Sequence, residues 1–156
     1  MVGHKGHEQC TPNFCEHSQV DFTSVEQRYE WPSCKKNPCS RLLDVFLRDV
    51  LNMAAEKGKP TAWDLNGKSM IQPPRNFMAI SHVWSDGTGT GTQLGGQVNK
   101  CLYSFFSGIA KQFQCEGIWW DTICIPNDKA ARSKAINKIQ SNYEDARITL
   151  VHDCYL

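Results

Sequence analysis

No apolar run in this chain approaches the roughly 20 residues that cross a bilayer, so no spanning helix and no membrane partner are expected. An excess of one charge is lacking too, since 17 Lys and Arg face 16 Asp and Glu. Without a basic block there is no electrostatic footprint for nucleic acid, and zinc-stabilised nucleic-acid binding ranks last among the functional readings. The N-terminus, Met1-Val2-Gly3-His4-Lys5-Gly6-His7, has no apolar signal core, and Val2 stands where N-myristoylation needs glycine. A cytosolic or nuclear protein is expected, with the cytoplasm as the first choice. His-Glu-x-x-His, deaminase-type zinc motifs and the Gly-Lys-Ser/Thr of a P-loop are all missing.

Cysteine, by contrast, is abundant, with eight in 156 residues. In a chain with no secretory signal these read as thiols or metal ligands rather than a disulfide framework. Residues 1–39 are polar, poor in aliphatic side chains and rich in Cys and His, so they cannot build much core alone. A structural zinc would order such a segment, because metal affinity contributes directly to folding. The preferred ligands are Cys10, Cys15, Cys34 and Cys39, with His7 as the substitute, although the x4 spacings lie at the loose end of zinc-site patterns. The alternative is a flexible arm with unrelated cysteines. Cys101, Cys115, Cys124 and Cys154 fall in predicted helices and strands, where free cysteine behaves as a small apolar residue.

Residues 40–75 read as a helix and a connecting loop. Leu43, Phe46, Leu47, Val50, Leu51 and Ala54 recur at helical spacing, with Ser40 as N-cap and Gly58 as the stop. Pro60 and Pro73-Pro74 bracket a loop or short hairpin that contains Trp63. Residues 76–156 then alternate strand and helix. Phe77 to Trp84 reads as a buried strand and Gly117 to Ile125 as the second, with Arg147 to His152 as the third. Between them, Val98, Cys101, Leu102, Phe105, Phe106, Ile109, Ala110 and Phe113 mark one helix face. Asp128 is expected to cap a further helix with Ala135, Ile136, Ile139 and Tyr143 inside. This order predicts an α/β fold with a parallel sheet and flanking helices.

Ala79-Ile80-Ser81-His82-Val83-Trp84 resembles the first signature of the fungal heterokaryon incompatibility (HET) domain, roughly A-[LI]-S-[YH]-x-W. Ile118-Trp119-Trp120-Asp121-Thr122-Ile123-Cys124-Ile125 is similar to the second, and the Lys134 to Ala146 segment resembles the helix that follows. The resemblance covers about residues 76 to 153 and departs at Pro126-Asn127, where many members have Asn-Gln. It implies a flavodoxin-like sheet similar to Toll/interleukin-1 receptor (TIR) domains, and a role in fungal non-self recognition and programmed cell death. It also implies NAD or NADP as substrate of a glycohydrolase. In TIR-like enzymes the catalytic glutamate lies on the helix after the third strand, and the sequence stops at Leu156, before any such helix. The catalytic residue is therefore unassigned, and the domain is expected to be truncated after its third strand.

In open α/β sheets the crevice at the carboxyl ends of the strands takes the ligand. The residues expected there are Ser81, His82, Trp84, Ser85, Asp86, Gly87, Gly89 and Asp121. Alternation places Ser81 and Val83 on one face of the strand, and His82 and Trp84 on the other. The glycines suit close approach to a phosphate, or simply a surface loop. His82 reads as a packed, hydrogen-bonded residue or an acid–base group. Asp121, expensive to bury unpaired, accepts backbone N–H groups or contacts ribose hydroxyls. Cys124 reads as an inert buried thiol, and Arg132, Lys134, Glu144 and Asp145 as surface charges. Two functions stay open: an NAD-cleaving enzyme, and a non-catalytic signalling module that self-associates or binds another signalling protein.

Overall fold

The computed structural model describes residues 14–15, 20–21, 42–82 and 97–152. In chain order the elements are β1 (Phe14–Cys15), β2 (Val20–Asp21), β3 (Leu42–Asp44), α1 (Arg48–Glu56), β4 (Trp63–Asp64) and β5 (Phe77–His82). There follow β6 (Gln97–Asn99), α2 (Lys100–Gln112), β7 (Gly117–Trp120), α3 (Asp121–Cys124), α4 (Lys129–Asn137), α5 (Ile139–Asp145) and β8 (Ile148–His152). The main sheet has the order β4-β7-β5-β8, with β7 and β8 parallel to β5 and β4 antiparallel to β7. The expected α/β class with a parallel sheet and flanking helices is what the chain adopts.

Phe77, Met78, Ala79 and Ile80 are all buried, as are all four residues of β7. Strands that read as continuous apolar runs have both faces covered, which a sheet between helices requires. On one face Phe106 of α2 packs edge-on against Trp120, with ring centroids 5.1 Å apart. On the other, Tyr143 of α5 meets Trp119 at 5.3 Å. The two tryptophans, adjacent in sequence, thus anchor opposite layers. Gly117 opens β7 because nothing larger fits. A Cβ there would lie 2.0 Å from Ile71 Cδ1 and 2.3 Å from the Trp63 carbonyl oxygen.

Helix ends follow their capping chemistry. Asn99 and Asp128 accept from the Leu102 and Ala131 amides at 2.9 and 3.0 Å, so the predicted Asp128 cap is formed. Gly58, in the left-handed region at φ 66°, closes α1 through Gly58 N–H to Ala55 and Lys59 N–H to Ala54. Gln114 makes the same closure after α2 at φ 59°, without glycine's freedom. Lys134 Nζ donates to the Glu56 carbonyl at 2.8 Å and Lys138 Nζ to that of Gly58, bringing two cations of the α4 region to the carbonyl end of α1.

Four expectations change. The helix predicted from Ser40 starts at Arg48, because Leu42–Asp44 pairs antiparallel with Gln97–Asn99 instead. Val98 accordingly sits in β6, still fully buried. The second strand ends at Trp120, where Asp121 begins a helical turn closed by Ile125 N–H to the Asp121 carbonyl. The last helix is two, broken at Lys138, which leaves Ile136 exposed rather than on an inner face. The loop around Trp63 is a hairpin, as one of the two expected forms, and its first arm joins the sheet. Among the described residues, no helix is long and apolar enough to cross a membrane.

Candidate functional site

The connection leaving β5 runs to β7 on one side, and the connection leaving β7 returns to β8 on the other. Chain direction therefore diverges at β5, and its carboxyl end is the place where such sheets bind ligands. His82 is the last residue of β5 and Asp121 the first after β7. Their side chains meet there, with His82 Nε2 2.5 Å from Asp121 Oδ1. The His82 side chain is 1 % exposed and that of Asp121 15 %. A carboxylate at this depth needs donors, and Oδ1 also accepts the Thr122 backbone N–H at 2.8 Å.

The Trp120 indole nitrogen approaches the same His82 nitrogen at 3.2 Å. One ring nitrogen cannot both donate to a carboxylate and accept from an indole. The shorter, charge-assisted contact decides it, so Nε2 carries the proton and points it at Asp121. His82 Nδ1 is left buried with no hydrogen-bond partner among the described residues. Aromatic rings wall this face of the sheet: Trp120 lies 6.2 Å from His82, and Phe106 lies 5.1 Å from His152, the residue paired with His82 across β5 and β8.

Ser81 points to the opposite face, as alternation predicts. It hydrogen-bonds the Tyr143 phenol, which also donates to the Ile80 carbonyl at 3.2 Å. Burial pushes the Tyr143 phenol up, and the nearby Asp121 charge adds to that. Arg132 feels the charge of Asp121 as well. Burial lowers its guanidinium while Asp121 acts the other way, and its contact with the Pro126 carbonyl is a long 3.5 Å. Cys124 sits beneath, fully buried, accepting from the Trp120 amide at 3.3 Å. Burial raises this thiol far above neutrality, which makes it the inert cysteine expected.

Residues 77–153 match the family model for the heterokaryon incompatibility protein (HET). The chain carries a HET domain. No curated protein and no solved structure matches it. The HET match starts at the first residue of β5 and ends just past β8, so both halves of the His82–Asp121 contact lie within the domain.

Of the predicted site residues, the HET domain brings Ser81, His82 and Asp121 to one end of the sheet, with Ser81 and His82 on opposite faces. Trp84, Ser85, Asp86, Gly87 and Gly89 lie outside the described residues, as do the side chains of Cys10, Cys15, Cys34 and Cys39. Among the described residues, no group of three or more His, Cys, Asp or Glu is placed to hold a metal ion. Sequence reasoning missed the pairing of His82 with Asp121, which joins positions 39 apart. It also read Arg132 as a solvated surface cation, whereas the guanidinium is partly desolvated beside Asp121. The available signal was the pair of signatures, each ending a buried strand in a titratable residue.

Proposed function

We propose that this HET domain holds NAD or a related nucleotide at the carboxyl ends of β5 and β7, and acts through that site in cytoplasmic non-self recognition and cell-death signalling. The observation that carries the reading is the buried His82–Asp121 contact at the carboxyl end of β5. A structural hydrogen bond could sit anywhere in a core, but this one lies where open α/β sheets place their ligands. The order of the parallel strands, with the first between the second and third, supports a TIR-like, flavodoxin-like relationship. In the enzymatic form, the N-glycosidic bond between nicotinamide and ribose breaks through an oxocarbenium-like transition state that a carboxylate stabilises.

A second reading, a non-catalytic assembly module, draws support from β8. Among the described strands it lies at the edge of the sheet, and Val151 on it is 70 % exposed. Incubation of the full chain with NAD, with nicotinamide release followed by chromatography, separates the two. Release that vanishes in Asp121→Ala supports the glycohydrolase. Binding of NAD without release supports the module. Absence of both sinks the nucleotide site altogether. The zinc proposal is independent: four thiolates from Cys10, Cys15, Cys34 and Cys39 form a complete structural set, and metal analysis of the purified chain tests it.

A further inference from the structure

The geometry points to His82 as the residue that recognises a sugar hydroxyl of the bound ligand through its Nδ1 atom, an inference that rests on the nucleotide reading above. The argument begins with Asp121, whose carboxylate can only accept a hydrogen bond. At 2.5 Å it fixes the imidazole proton on Nε2. With the imidazole neutral, that tautomer leaves a bare lone pair at Nδ1. That atom is buried and unpartnered among the described residues, on a side chain 1 % exposed. Buried polar atoms are nearly always satisfied, so one that is not calls for a specific partner.

The required partner must supply a proton. Phosphate and carboxylate oxygens cannot, since they would set lone pair against lone pair. A hydroxyl can, beside the rings of Trp120, Phe106 and His152 that pack on this face of the sheet. Within a nucleotide this rejects the pyrophosphate and leaves the ribose hydroxyls and the amino groups of adenine and the carboxamide, which the deoxygenated analogues below separate. Asp121 then acts as a positioning residue for His82 rather than as a direct ligand contact. The recognition is specific in a known way: a site built to hydrogen-bond a hydroxyl discriminates strongly against the analogue that lacks it.

Two measurements test this. A long-range proton–nitrogen NMR spectrum of the full chain at neutral pH should show His82 protonated at Nε2 and bare at Nδ1. A proton on Nδ1 overturns the proposal whether or not any ligand binds. Calorimetric titration with NAD, and with NAD dideoxygenated at either ribose, then reads the recognition. We expect one dideoxy analogue to bind at least about tenfold more weakly than NAD, and His82→Phe to abolish that preference. His82→Gln, which keeps an acceptor, should retain part of it and covers the case in which the phenylalanine variant fails to fold. Equal binding of all three ligands, or a preference that survives in His82→Phe, overturns the role of His82 and leaves the nucleotide site standing. No binding of NAD by the wild-type chain removes the nucleotide reading, and this inference with it.

Discussion

Asp64 and Asp121 are two sequestered carboxylates close to the same sheet, and their surroundings could hardly differ more. Asp64 ends the edge strand β4, 8 % exposed; among the described residues its side-chain hydrogen bonds stay within five residues, though its charge is felt at Tyr103. Its oxygens accept from the Lys68 amide at 3.1 Å and the Ser69 hydroxyl at 2.6 Å, closing the hairpin that returns to Met70. Asp121 takes one local amide but spends the same oxygen on His82, 39 positions away, and its charge is felt at Arg132, Tyr143 and Cys124. Burial alone therefore does not mark a functional carboxylate. What separates the two is the reach of their hydrogen bonds: those of Asp64 complete a turn, whereas that of Asp121 to His82 ties together the ends of two neighbouring strands.

The comparison can be broken by experiment. The largest effect should come from the structural side. Trp63→Ala should cost about 3–5 kcal/mol in chemical denaturation, since the ring is fully buried and its indole N–H donates to the Ile123 carbonyl at 2.7 Å. Gly117→Ala should follow at about 1–3 kcal/mol or more, because the added methyl would strike the Trp63 backbone as well as Ile71. The decisive pair comes next. Asp64→Asn should lower stability by about 1–2 kcal/mol through its hydrogen bonds to Lys68 and Ser69, and leave nucleotide affinity unchanged. Asp121→Asn should weaken nucleotide binding by roughly tenfold or more by loosening His82, a loss of about 1.4 kcal/mol. Should the two substitutions exchange these effects, the distinction between turn and site falls. The smallest effect is a gain: Gln114→Gly should raise stability by about 0.5–1 kcal/mol, as the residue sits at φ 59°.

Much of the domain was legible because its signals are local. The apolar runs at Phe77 and Gly117, the Asp128 cap and the face containing Leu102, Phe106 and Ala110 all carry their period or their cap in neighbouring residues. What escaped depends on distant partners. Leu42–Asp44 looked helical because Leu43 and Phe46 fit a helical stripe, yet pairing with Gln97–Asn99 decides its form. Trp63 and Asp64 form a strand too short to show alternation, and only the groove beside Gly117 admits it to the sheet. The site divides in the same way. Ser81, His82 and Asp121 stood out as polar residues at the ends of apolar runs, whereas the tautomer of His82 is set by a contact that no sequence window contains.

The most direct test of the central claim is a titration of the isotopically labelled chain with NAD, followed by amide chemical-shift mapping. The account predicts that Ser81, His82, Asp121 and Thr122 shift together and saturate. The cleft of about 370 Å³ lined by Pro60, Pro73, Arg75, Asn76 and Asn142, reaching Phe77 at the other end of β5, should stay silent. Shifts confined to that cleft, or none at saturating nucleotide, would contradict it.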